Sequence, residues 1–291
     1  ENLSDSLAAL GASQQQCDTI SRSLTEEMNK CRKMQLDFLP GDLPRIAEWD
    51  VESFFFPANR VSGDFYDVFE LPGGYVGLVI GDVCDKGVGA ALFMALFRSL
   101  IRIFSGEAQL SRSPIHRSRK TVGGPEKGSA PRLSGQGDAI RAVALTNDYI
   151  AREHGDMSMF ATLFFGVLNP KSGRLIYING GHEPLFVLDA KGLKDKLPPT
   201  GPAVGVFLHA EFAYKERYLD PGDMLFGFTD GVVDARSGEG ARFSKKRLAA
   251  LLDQPAHSVL DVMGRVGTDL FAHMGKASQE DDVTMLGLRR K

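Results

Sequence analysis

Apolar residues are sparse over residues 1 to 39, at Leu3, Leu7, Leu10, Cys17, Leu24, Met28, Cys31 and Phe38, and their steps of three, four and seven predict a helix with a weak heptad seam. Gln14, Ser21 and Gln35 interrupt that seam and Pro40 ends it. The pattern fits either an amphipathic helix lying on a domain or one half of a dimerising coiled coil. Beyond Pro40 the rhythm shortens. Trp49 to Phe56 carries consecutive aromatics suited to burial on both faces of a strand, and Tyr75 to Ile80 is a β-branched and aromatic run suited to a buried strand. Val88 to Phe104 is apolar around most of a helix and carries the small residues Gly89, Ala90, Ala91 and Ala95, which predicts deep packing against a sheet.

Between Gly106 and Gly137 the periodicity stops, and Gly, Ser, Pro and basic residues predict a long mobile insertion. A helix is predicted from Asp138 to Glu153. Strands follow at Met159 to Leu168, Arg174 to Ile178 and Pro184 to Leu188, the first two joined by the turn residues Asn169 to Gly173. Phe212 to Tyr218 alternates as a half-buried strand, and Met224 to Phe228 is apolar throughout. Two helices, Ser244 to Leu252 and Ser258 to His273, precede a last strand, Val283 to Leu288. Strands at hairpin spacing with long helices inserted predict an α+β layered domain with antiparallel sheets, not a βαβ repeat.

Candidate chemistry sits where these runs end. Asp64 follows Val61-Ser62-Gly63 and precedes Phe65-Tyr66, and Asp82 follows the Tyr75 to Ile80 strand. A Gly-Asp pair alone is an ordinary turn dipeptide, but two carboxylates on neighbouring strand ends, with glycines that permit close backbone approach, make half of an oxygen-ligand metal site. Phe228-Thr229-Asp230-Gly231 and Glu280-Asp281-Asp282-Val283-Thr284 supply two more strand-end acids. Several carboxylates meeting in one place repel unless a cation lies among them, and hard divalent ions take such oxygens.

Composition narrows the field. The 291 residues are 43% apolar, enough for a sizeable core, and the net charge of -3 argues against nucleic-acid binding. Cys17, Cys31 and Cys84 lie far apart without a CxxC spacing, which points to neither a disulfide framework nor zinc but to a reducing cytoplasm. The longest apolar run is cut by Arg98 and Arg102, so no membrane span is expected, and no signal-peptide pattern is seen. The first residue is Glu, as in a fragment or a processed chain.

With this ordered set of motifs, from about Gln35 to Arg290, the sequence resembles the metal-dependent serine/threonine protein phosphatases of PPM type, in their bacterial SpoIIE/RsbU-like branch of sigma-factor regulatory enzymes. The resemblance implies a four-layer sandwich of two antiparallel β-sheets flanked by helices. An N-terminal linker helix over 1–39 would then precede a phosphatase domain over 40–291. The linker would end in the QLDFLP of Gln35 to Pro40, join an upstream sensor, and offer a helix through which a homodimer could form. The activity implied is hydrolysis of phosphoserine or phosphothreonine, on a phosphorylated anti-sigma-factor antagonist of the STAS fold in bacterial partner-switching signal transduction. The cofactors implied are two divalent cations, Mn2+ or Mg2+, which activate a bridging water and clamp the phosphoryl oxygens.

On that pattern Asp82 bridges the cations, the Val83 carbonyl joins one of them, and Asp230 and Asp281 complete the other. Asp64 binds directly or through water, and Arg60 meets the substrate phosphate. Asp67, Asp85 and Asp282 remain supporting acids. NGGHEP at Asn179 to Pro184 is similar to the family's Asn-Ala-Gly-His-x-Pro signature, with His182 in a structural role, and Asn147 is a position the family keeps polar. Cys84 stands where eukaryotic relatives carry a histidine, and a thiol with pKa near ~8.5 is a poor proton donor in its place. The alternative is a non-catalytic binding or sensing module on the same fold.

Overall fold

The computed structural model describes residues 2–106 and 135–291; most of the insertion predicted over 106–137 lies outside the described residues. A 37-residue helix, α1 (Asn2–Phe38), opens the chain and stops short of Pro40, as the heptad pattern requires. Among the described residues ten strands follow, interleaved with six further α-helices: β1 (Trp49–Phe56), β2 (Asp64–Leu71), β3 (Tyr75–Val83), α2 (Val88–Ser105), α3 (Gly135–Ile140) and α4 (Ala142–Glu153). The chain continues through β4 (Ala161–Asn169), β5 (Arg174–Gly180), β6 (Leu185–Asp189), β7 (Gly192–Leu197), β8 (Lys215–Tyr218) and β9 (Met224–Phe228). It ends in α5 (Gly231–Asp234), α6 (Lys245–Leu252), α7 (Val259–Met274) and β10 (Val283–Arg290).

The strands form two five-stranded antiparallel sheets, ordered β1-β10-β9-β6-β7 and β2-β3-β4-β5-β8. Val51, Leu185, Leu225, Leu286 and Leu288 of the first sheet face Leu78 and Phe164 of the second. On the outer side of the first sheet, Phe226, Phe228 and Met285 pack with Leu248 of α6 and with Val262, Val266 and Leu270 of α7. On the outer side of the second, α2 and α4 pack together, with Met94, Phe97, Ile101, Val143 and Ile150 fully buried. The result is the expected four-layer α+β sandwich.

Consecutive aromatics in β1 serve both faces, as predicted: Phe54 and Phe56 meet Phe271 of α7, while Phe55 turns to Tyr66 of β2. The helix α2 has the length and composition of a membrane span, yet its Ala90, Met94, Phe97 and Ile101 are core residues of this sandwich. Its two arginines explain the break in the apolar run. Arg98 Nε lies 2.9 Å and Arg102 Nε 2.5 Å from Asp67 Oδ2 on β2, which fastens the helix to the sheet.

Three boundaries differ from the sequence-based expectation. The helix expected from Asp138 starts at Gly135, where the buried Gln136 donates to the Val167 and Arg174 carbonyls, and is interrupted after Ile140. The strand expected over Phe212 to Tyr218 is confined to Lys215–Tyr218 at a sheet edge. The edge strand β7 was not expected, since GLKDKL alternates with lysine on an exposed face and carries little apolar signal.

Candidate metal centre

Sheet pairing brings the first two acids face to face. Asp64 begins β2 directly opposite Asp82 near the end of β3, and Val83 N donates to the Gly63 carbonyl at 3.2 Å. Gly63 is required there: a Cβ would stand 2.6 Å from the Val83 carbonyl oxygen and 3.2 Å from Asp82 Oδ1. The Val83 carbonyl is therefore presented to the same turn as both carboxylates.

The other acids come from the facing sheet. Asp230 caps the end of β9, and Asp281 and Asp282 precede β10, which pairs with β9. Gly231 makes this convergence possible, because a side chain at that position would collide with the Asp282 carbonyl. Asp282 also grips the turn before β2, accepting Ala58 N at 2.7 Å on Oδ1 and Gly63 N at 3.2 Å on Oδ2. Two threonine hydroxyls then join the sheets: Thr229 Oγ1 and Thr284 Oγ1 donate to Asp64 Oδ2 at 2.6 and 2.5 Å. Both threonines stand inside the motifs that flagged the site, but nothing in their spacing pointed to this bridging role.

The electrostatics are those of stacked negative charge in a buried place. Burial, and then Asp82, hold the Asp64 carboxyl well above the usual range, although the two threonine bonds oppose the shift. Asp82 is pushed up to about 7, first by burial and then by Asp230, Asp281 and Asp282. Asp230 is raised by burial and by Asp281, and Asp282 is raised chiefly by burial. A set of oxygen donors in this condition fits a hard divalent cation, whose charge would relieve both burdens. Among the described residues no three of these groups close on one point as a ready ligand triad. Asp281 is instead engaged by Lys86, whose Nζ lies 3.2 Å from its Oδ1.

The remaining candidates separate from this cluster. Arg60 Nη1 donates to the Thr25 carbonyl of α1 at 2.9 Å through an exposed bond. His182 is buried with Nδ1 3.1 Å from Thr162 Oγ1, and burial lowers it to about 4, so it is neutral and structural. Asn147 is buried and fastens the loop after Val204, accepting Gly205 N and donating to the Phe207 carbonyl. Cys84 accepts Phe160 N at 3.2 Å, and burial raises its thiol. Gln35 of α1 is buried, donating to the Ser62 carbonyl and accepting Ser62 N, two residues before Asp64.

The family model described as Stage II sporulation protein E (SpoIIE) matches residues 72–291. Protein IcfG of Synechocystis sp. is 46% identical over 264 residues, 91% of this chain and 41% of that protein. The phosphoserine phosphatase RsbU of Bacillus subtilis is 24% identical over 273 residues, 94% of this chain and 72% of that protein. Among solved structures, the SiaA-PP2C domain of Pseudomonas aeruginosa superposes with a TM-score of 0.69 at 20% identity, covering 93% of this chain and 98% of that domain. The chain thus spans about two fifths of the length of IcfG.

Proposed function

The chain belongs to the Stage II sporulation protein E (SpoIIE) family of PP2C-type phosphatase domains, and from that premise we propose that it hydrolyses phosphoserine or phosphothreonine on a protein substrate. The observation that supports this reading is the mutual repulsion that links Asp64 to Asp82, and Asp82 to Asp230, Asp281 and Asp282, across the two sheets. Mn2+ or Mg2+, if held by these oxygens, would supply the positive charge that makes water a better nucleophile and neutralises phosphoryl oxygens.

In this proposal Asp82 and Asp64 stand at the centre of the ligand set, the Val83 carbonyl joins them, and Asp230 and Asp281 hold the outer side. Thr229 and Thr284 fix Asp64 through Oδ2, so that its other oxygen keeps one direction beside Asp82. Asp282 locks the Ala58 to Gly63 turn, and Arg60, in that turn, meets the substrate phosphate after leaving its exposed bond to Thr25. Residues 1–39 act as the linker and 40–291 as the catalytic unit of a cytoplasmic signalling protein. The exposed Leu7, Leu10, Cys17 and Leu24 of α1 favour pairing with a second copy, below an upstream sensor. The natural substrate in this proposal is a phosphorylated STAS-type antagonist of an anti-sigma factor.

Incubation with p-nitrophenyl phosphate and Mn2+, beside Asp82→Asn and a phosphodiester control, tests the chemistry. Monoester turnover that disappears in Asp82→Asn is expected. Absence of turnover with Mn2+ still bound would leave a binding module, and equal turnover in both proteins would remove the site assignment.

A further inference from the structure

Lys86 is placed by an unusual turn. Between the end of β3 and the start of α2, Asp85 adopts φ 72° and Gly87 φ 86°, and Asp85 Oδ1 accepts Lys86 N at 2.8 Å. Aspartate tolerates a positive φ better than most residues, and its own carboxylate accepts the next amide, so the turn is held locally. Its effect is to swing Lys86, four residues after Asp82, across a cleft to the segment before β10. There Nζ donates to the Glu280 carbonyl at 2.6 Å and pairs with Asp281 Oδ1 at 3.2 Å. That segment is itself fixed, since Gln279 Nε2 donates to the Phe56 and Asp281 carbonyls and Arg236 Nε lies 3.3 Å from Glu280 Oε2. The cleft, about 220 Å3, is lined by Lys86, Gly231, Asp234, Arg236, Gln279 and Asp281.

We propose that Lys86 is a tethered cation that competes with a divalent ion for Asp281, and so sets the affinity of the outer side of the metal centre. The inference rests on the metal-centre assignment made above. Asp281 Oδ1 already accepts Asp282 N at 3.0 Å and the Lys86 ammonium, so an ion that takes this oxygen must displace the ammonium, and one that takes Oδ2 arrives beside its charge. The ammonium also repels any cation that comes close. A lysine that served only to orient Asp281 as a ligand would have the opposite effect, because its loss would loosen the ligand and weaken binding.

The test is equilibrium Mn2+ binding, read from the free-ion electron paramagnetic resonance signal, which needs no turnover. Parent, Lys86→Gln, Lys86→Arg, Asp281→Asn and the double variant Lys86→Gln/Asp281→Asn are compared, with circular dichroism melting as the folding check. Lys86→Gln is expected to tighten the weaker Mn2+ site by on the order of tenfold, a modest gain because charges at a half-exposed rim interact near the aqueous limit. Lys86→Arg keeps the charge and stays near the parent. In the Asp281→Asn background the Lys86→Gln gain disappears, as a direct competition demands. Unchanged or weaker binding by Lys86→Gln, or a gain that survives in Asp281→Asn, overturns the competition. Absence of Mn2+ binding by the parent overturns the metal centre itself, and that outcome is read without any Lys86 variant.

Discussion

Asp64 and Asp67 are three residues apart on β2, both are buried, and they live under opposite electrostatic regimes. An odd spacing on a strand sends them to opposite faces. Asp67 faces the helix layer, where Arg98 and Arg102 meet it. Asp64 faces the other sheet, where it receives two threonine hydroxyls and lies against Asp82. A buried carboxylate matched by two guanidinium groups is part of the framework. A buried carboxylate surrounded by others, tuned upward by burial and repulsion, is a place prepared for a cation that the chain does not itself supply. The two aspartates also divide the labour of assembly: Asp67 fixes α2 against the second sheet, and Asp64 fixes the seam between sheets.

The widest gap between the two regions is expected in activity and pH response. Asp82→Asn should lower phosphomonoester turnover by on the order of 10³-fold, about 4 kcal/mol of barrier, while leaving the fold intact. With metal chelated, the same variant should alter the pH dependence of stability. The folded-state pKa of Asp82, about 7, exceeds its unfolded value, so the folded state binds the proton more tightly. The stabilisation is fully present below about pH 4, is lost as pH rises towards about 7 and is flat above, a difference of roughly 2–4 kcal/mol. Denaturant melts of the parent against Asp82→Asn across that window should show the parent losing ground. Added Mn2+ should reverse the loss above pH 7.

Asp67→Ala sharpens the contrast from the other side. It strands Arg98, whose side chain is only 14% exposed, and should cost about 3 kcal/mol in urea melts, at any metal concentration. A variant of Asp67 that lost activity without losing stability would erase the distinction between the two aspartates.

Asp64, Asp82 and Asp230 stood out because each joins a carboxylate at the edge of an apolar run to a neighbouring glycine, and Gly63 and Gly231 show why the glycine is needed; Asp281 and Asp282 stood out only as paired acids before the last apolar strand. The buried strands β3, β4, β9 and β10 were legible for a related reason, since they read as continuous apolar runs, whereas the stacking of two sheets into four layers came from the family resemblance and not from the pattern. What stayed hidden was made by partners distant in sequence. Thr229 and Thr284 are unremarkable residues until β9 and β10 pair, Lys86 gains its meaning only from the left-handed turn at Asp85, and Gln35 only from its docking on Ser62. The contact of Arg60 with the Thr25 carbonyl of α1 was hidden for the same reason.

The threonine bridge gives a smaller test of the same contrast. Thr284→Val keeps the shape of the side chain and removes one donor to Asp64 Oδ2, at a cost of about 2 kcal/mol, as for other hydrogen bonds to a charged group. Because the bridge holds a candidate ligand, Mn2+ affinity should fall along with the melting midpoint, whereas the loss at Asp67 should move the midpoint alone.

Cys84 sets the lower limit. It lies two residues beyond Asp82, which makes it an obvious suspect for proton donation, but its thiol is raised by burial and accepts the Phe160 amide at 3.2 Å. A thiol held in its neutral form at physiological pH is a weak nucleophile and a reluctant acid. Cys84→Ala should therefore leave kcat/KM within about threefold of the parent and the shape of its pH profile unchanged, with a stability loss of about 1 kcal/mol for a small half-buried side chain. If the alkaline limb of the profile moved with this substitution, proton transfer would run through the sulfur, and nearness to Asp82 in sequence would have outweighed the contacts that hold the thiol in place.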